Sequence, residues 1–279
     1  MKLDLGKAWT DTTAMLGANR EVVLVVAGLF FFLPYFAIGL LFPESINPET
    51  VEPPPGADPE VVMEMSMAAL QGQYARAWPA LLVGLLVQMV GSLAILALLT
   101  DREKPTVGEA LKVGAFGFPT YLGVQIITGL ISAVAVLLVG GLSGFMPPIV
   151  VVLLTIVMIA IVIYLMIKFC LATPIIAIER EMNPITVIAR SWKLTKGNSF
   201  RLAAFFILLI IAIAVISLLV TSVFGLVLAA LGGAIENIGL ALVSGGTNAV
   251  VSVIILGVLA AIHRQLAGPS TETLSETFD

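Results

Sequence analysis

Histidine and cysteine are nearly missing from this chain: His263 and Cys170 are the single instances of each in 279 residues. A zinc site draws several His, Cys or carboxylate ligands together. A Ser–His–acid triad would have to use His263, at the end of an apolar run. Neither chemistry is expected, and there is no Gly–Lys–Ser/Thr loop to cradle a phosphate. A lone cysteine forms no internal disulfide. Charge is scarce as well, at 11% of residues, against roughly 25% in a soluble domain. The chain is instead 59% hydrophobic, with a mean hydropathy of +1.09. Apolar runs of about 20 residues, enough to cross a bilayer, recur along it. An all-α, polytopic membrane bundle is therefore expected, with no cofactor or metal and as a non-enzymatic protein, an intramembrane enzyme being the reading for which these residues offer least.

Six spans are expected, at about 22–42, 80–99, 120–142, 149–170, 202–230 and 247–262. Together with the segments between them they make one membrane domain, residues 1–266, followed by a Ser/Thr/Glu-rich tail, 267–279, that has little to bury and should be disordered. Between spans one and two lies an acidic connection, 43–79, with a proline-rich first half. Its second half, Pro59 to Ala77, has the spacing of a helix. Its carboxylates could gather a calcium ion, but their spacing is irregular, and a solvated acidic loop is the expected reading. Residues 232–246 read as a connection, and the glycines and prolines of 140–148 as a tight turn.

Three short amphipathic helices are expected at the membrane surface, at about 3–19, 105–116 and 183–196. In the first, Lys7 and Asp11 stand four apart, as an ion pair on a helix would. In the second, Thr106 and Glu109 have capping-box spacing. In the third, Asn183 caps the helix and Pro184 takes its first position. Ile185, Ile188, Trp192 and Thr195 then share an inner face, with Thr186, Arg190 and Lys193 opposite. Each helix precedes a membrane hairpin, so the chain reads as three helix-plus-hairpin units.

Thirteen of the fourteen Lys and Arg residues fall on one side of this arrangement, and Arg76 on the other. The positive-inside rule then puts both termini and the three surface helices in the cytoplasm, with the acidic loop outside. No Asp, Glu, Lys, Arg or His is expected in mid-membrane, where a coupled transporter would carry one. Gln88, Gln125 and Asn248 are uncharged and suit hydrogen bonds between helices. Lys168 is close enough to the inner boundary to snorkel.

The interval 171–201, LATPIIAIEREMNPITVIARSWKLTKGNSFR, is the longest charged stretch between spans. A span ends near Pro174, and Glu179 follows. Ala189 and Trp192 then lie on a helix, and Lys196-Gly197-Asn198 turns into the next span. These features resemble the YciC-like group of bacterial six-span proteins, related to the membrane domain of glycerophosphodiester phosphodiesterases. The six-span plan extends the likeness over about 1–266, although His263 stands where that group usually has an aromatic residue. The resemblance implies a multi-pass protein of the bacterial inner membrane. The catalytic domain of the fused relatives has no counterpart in these residues, so no hydrolytic activity is carried over.

The candidate site is the charged set Glu179, Arg180, Arg190, Lys193, Lys196 and Arg201, with Trp192. Its expected partners are anionic membrane lipids, a protein partner or a second copy of the chain, and no nucleic acid. Glu179 gains nothing from an anionic leaflet, and a salt bridge to a basic residue of a neighbouring surface helix is its expected use. The alternative function is a passive lipid or small-molecule conduit between the hairpins, which a polar cavity through Gln88, Gln125 and Asn248 would favour.

Overall fold

The computed structural model describes residues 2–45, 54, 56–100, 106–143 and 145–268. Among them there is no strand, and six helices are long and apolar enough to cross a membrane: Arg20–Leu41, Pro59–Leu99, Val107–Leu142, Pro148–Ile178, Ser199–Leu231 and Gly233–Ala267. The chain is an all-α, multi-pass membrane protein. Much of the acidic connection (46–53 and 55), residues 101–105 and the tail from 269 lie outside the described residues.

In chain order the helices are α1 (Leu5–Ala18), α2 (Arg20–Ala27), α3 (Leu33–Leu41), α4 (Pro59–Thr100), α5 (Val107–Ser143), α6 (Pro148–Phe169), α7 (Ala172–Ile178), α8 (Pro184–Thr195), α9 (Ser199–Leu231) and α10 (Gly233–Ala267). Local chemistry sets several of their starts. Asp4 caps α1 by accepting from the Lys7 N–H. The Asn183 side chain accepts from the Ile185 and Thr186 N–H groups to start α8. Before α5, Glu109 accepts from the Thr106 N–H at 2.8 Å while its own N–H reaches the Thr106 hydroxyl, which closes the capping box.

Four elements differ from the sequence expectation, the first being 59–79, which runs through Pro79 into the second span as one helix, α4. Residues 107–116 are not a separate surface helix but the first turns of α5, which continues through Pro119. Proline removes one backbone donor there, yet the contacts around it hold the helix. The Thr120 hydroxyl donates to the Met182 carbonyl at 2.7 Å. Gly117 lies so close to Ile176 and Leu93 that a Cβ would meet them at 2.9 and 3.0 Å. Residues 233–246 are helical too, because the chain reverses in one step at Gly232 and Gly233, with φ of 64° and 59°. Last, the fourth span does not end at about 170 but is followed at once by a short helix, α7, over 172–178.

The chain forms two compact units, one of Met1–Val23, Ser92–Ile210 and Ile254–Asp279, the other of Leu24–Gly91 and Ile211–Val253. The first has a core made from three helix segments buried on every side. These are Leu93–Leu99 of α4, Leu171–Ala177 around α7, and Leu256–Ile262 of α10. A helix apolar all round is stable only when it is surrounded or in lipid. Ala8, Thr12 and Met15 of α1 are buried in the same unit, Thr12 and Leu16 resting on Gly257. Asp11 is paired with Arg264 at 3.3 Å rather than with Lys7. The chain before α1 is tied down by the Asn198 side chain, which accepts from the Leu3 N–H, and by Gln265, which accepts from the Asp4 N–H.

In the second unit, α2 passes into α3 through a π-helical turn, Gly28–Phe32, in which the Leu33 N–H donates to the Gly28 carbonyl. The Asn248 amide donates to the Phe31 carbonyl at 3.1 Å, so a polar side chain serves this irregular backbone. Arg76 of α4 pairs with Glu44 at 3.6 Å, and the Gln73 amide donates to the Glu44 carbonyl.

Candidate functional site

Glu179 caps the C-terminus of α7, its N–H donating to the Ile175 carbonyl at 3.0 Å. The next residue, Arg180, sits at φ 58°, a left-handed conformation unusual for a long side chain, and this stops the helix. The chain then crosses to Asn183, whose N–H donates to the Glu181 carboxylate at 2.9 Å, and α8 begins. Two turns into α8, Arg190 reaches back to Glu179. Its Nε donates to Oε2 at 3.0 Å and its terminal nitrogen to Oε1 at 3.3 Å, a two-point grip. From α10, 84 residues away, His263 places Nε2 2.9 Å from the same Oε1.

The exposures run in order, with 5% of the His263 side chain exposed, 25% of Glu179 and 38% of Arg190. Burial pushes the Glu179 carboxyl up, but the hydrogen bonds and charge of His263 and Arg190 outweigh it and hold the carboxyl below its ordinary range. Glu179 is therefore an ionised acceptor, and the His263 Nε2–H donates to it. One carboxylate thus joins the ends of α7 and α10 to the middle of α8.

The other candidates separate from this cluster. Lys193 and Lys196 are exposed and make no ion pair with any described residue. Arg180 is also exposed. Arg201 donates to the Leu3 carbonyl at 3.4 Å. Trp192 is 40% exposed and Ile185 70%, so they do not line an inner face as expected. The buried stripe of α8 is Val187, Ser191 and Thr195 instead, with the Ser191 hydroxyl donating to the Lys168 carbonyl at 2.7 Å. Small residues allow the backbones of neighbouring helices to approach, while large apolar side chains can turn to lipid. Trp192 covers Lys168, which does not snorkel: it is 3% exposed, its ammonium 5.1 Å from the Trp192 ring and 5.5 Å from that of Tyr164.

His263 is the member of the cluster that the sequence reading passed over. A signal for it exists. Ala177-Ile178-Glu179-Arg180 and Ala261-Ile262-His263-Arg264 share the pattern Ala-Ile-x-Arg at the ends of two spans, and the two variable residues are the ones that touch.

The family model described as the membrane domain of glycerophosphoryl diester phosphodiesterase matches residues 145–267. The interval runs from just before α6 to the end of α10 and contains Glu179, α8 and His263. The resemblance carried by residues 171–201 is thereby borne out over this part of the chain. No curated protein and no solved structure matches the chain.

Proposed function

We propose that this multi-pass membrane protein is a non-enzymatic component of the bacterial inner membrane that engages anionic lipid through the C-terminal end of α8, with both termini in the cytoplasm. The observation that carries the reading is the company of Lys193 and Lys196. Both are exposed and without an ion pair among the described residues, and they lie in sequence beside Trp192 and Phe200, exposed at 40% and 87%. Uncommitted cations next to exposed rings make up the composition of a membrane–water boundary. Arg190 is different in kind: its charge is spent on Glu179. It belongs to the scaffold that holds α8, and Arg180 and Arg201 add to the positive field of the same stretch. The cytoplasmic placement rests on the distribution of basic residues.

Each base near an anionic surface contributes about 1 kcal/mol. Replacing Lys193 and Lys196 by Gln should therefore weaken retention of phosphatidylglycerol and cardiolipin by roughly thirtyfold at low ionic strength. The difference should shrink as salt is added. Native mass spectrometry of the purified protein reads this directly, and the thermal midpoint in detergent should stay put. Equal lipid retention by the double variant and the parent overturns the lipid reading. If a co-purifying protein is lost at the same time, the charged end is a protein-docking surface instead.

A further inference from the structure

Along α5, where it faces α6 and α7, runs a groove of about 390 Å³, within the range of small-molecule sites. Tyr121, Gln125 and Thr173 line one part of it, and Thr128, Gly129 and Ser132 continue along α5. No charged side chain is among its lining residues, and Gln88 and Asn248 do not contribute to it. From Tyr121 to Ser132 the helix rises about 17 Å, close to the depth of one leaflet of a core roughly 30 Å thick.

The polar groups in the groove are of two kinds. Thr128 and Ser132 are satisfied by their own helix, donating to the Val124 and Thr128 carbonyls at 2.8 and 3.0 Å. Thr173 and Gln125 are not. Thr173 is only 8% exposed and lines the groove, and its hydroxyl makes no hydrogen bond with any described residue. The Gln125 amide is likewise without a hydrogen bond among the described residues, on a helix that crosses the membrane. Gln125 is exposed, and an amide that faces hydrocarbon without a partner is costly, a cost that a bound polar group removes. Gly129 leaves the middle of the groove open, with nothing within 4 Å of where a side chain would begin.

We infer that this groove holds a neutral diacylglycerol-type lipid. The Gln125 amide needs both an acceptor for its N–H groups and a donor for its oxygen. An ester carbonyl and a free hydroxyl, side by side at the glycerol end of such a lipid, supply the two. A ligand carrying only acceptors would leave the Gln125 oxygen unpaired. A phosphate headgroup would enter a lining that offers no countercharge. The acyl chain then follows Gly129 toward Ser132, against Met166 and Phe169. This site is separate from the α8 lysines, and each proposal can fail without the other.

The test uses the full chain in phosphatidylethanolamine vesicles with a small fraction of a diacylglycerol whose acyl chain carries a photoreactive diazirine. Adducts should map to α5 and α6 around Gly129 and Met166. Gln125→Leu and Thr173→Val should each lower the yield about three- to tenfold, the worth of one net hydrogen bond. Gly129→Phe keeps the polar groups and fills the path of the chain, so it should abolish labelling. Lys193→Gln with Lys196→Gln should leave labelling unchanged, and added phosphatidylglycerol should not compete. Adducts scattered over all lipid-facing helices, or undiminished in the Gly129→Phe protein, would overturn the assignment. So would competition by phosphatidylglycerol equal to that by unlabelled diacylglycerol.

Discussion

Glu179 takes its neighbours from two distances along the chain, eleven residues to Arg190 and 84 to His263. Its folded carboxyl titrates below the ordinary value of 4.5, so the unfolded chain binds its proton first as acid is added. The stability it contributes is therefore complete above that value and is lost as the pH falls through the folded one. Thermal midpoints in detergent should drop on acidification below about pH 4.5, and Glu179→Gln should flatten that part of the profile. At neutral pH the same variant should be less stable than the parent, because buried His263 and partly exposed Arg190 lose an ionised acceptor, at a cost of about 1–3 kcal/mol. An unchanged midpoint together with an unchanged acid limb would remove Glu179 from the scaffold. Much at this scale was legible in the sequence: the Asn183–Pro184 start of α8, the Thr106–Glu109 box, and a basic partner for Glu179 on a neighbouring helix. The part of His263 was not, because hydrogen bonds at long range leave no local spacing. Only the echo of Ala-Ile-x-Arg in a second span pointed to it.

Among the elements, α8 divides the residues expected to share its inner face: Thr195 is buried, and the large apolar Ile185 and Trp192 are exposed. Ile188 and Leu194 are half-buried, and Val187 and Ser191 pack inward with Thr195. Where lipid is the solvent, a large apolar residue can turn outward without penalty, and small residues give closer packing. The two faces make opposite predictions. Ser191→Leu forces bulk into a closed contact and breaks the bond to the Lys168 carbonyl, so it should cost about 1–3 kcal/mol and speed hydrogen exchange over 184–195. Trp192→Ala should affect that exchange less. Its effect should fall on Lys168, whose ammonium would lose its cover and react faster with an amine-directed reagent, as read by peptide mass spectrometry. α5 and α10 were legible as spans but not in their full extent. Pro119 and the glycines of 239–246 look like breakers, yet tertiary contacts keep both helices whole. Gly239 lies against Leu228, and Gly245 is close to Phe32.

For the whole molecule, the count of six spans and the sorting of basic residues belong together, since one span more would scramble the second. In a Cys170→Ala background, a cysteine at Pro55 should react with an impermeant thiol reagent applied from outside, and cysteines at Lys193 and Ser270 should not. Labelling at Lys193 would reverse the assigned orientation. The fold also carries a record of length. Most of its spans are plain α-helix, but the first holds the wider turn at Gly28–Phe32, where the hydrogen bond closes over one residue more than usual. That turn holds one residue more than an α-helical turn would, and the helix carries on past it. A one-residue deletion there would restore an ordinary helix and shorten the chain by almost nothing. Because the wider turn already takes up the extra residue's rotation of about 100°, the side chains beyond it would keep their facing. The same deletion in a plain α-helical stretch would change the facing of every residue that follows, so the turn at Gly28–Phe32 is a place where this span can lose a residue and keep its contacts.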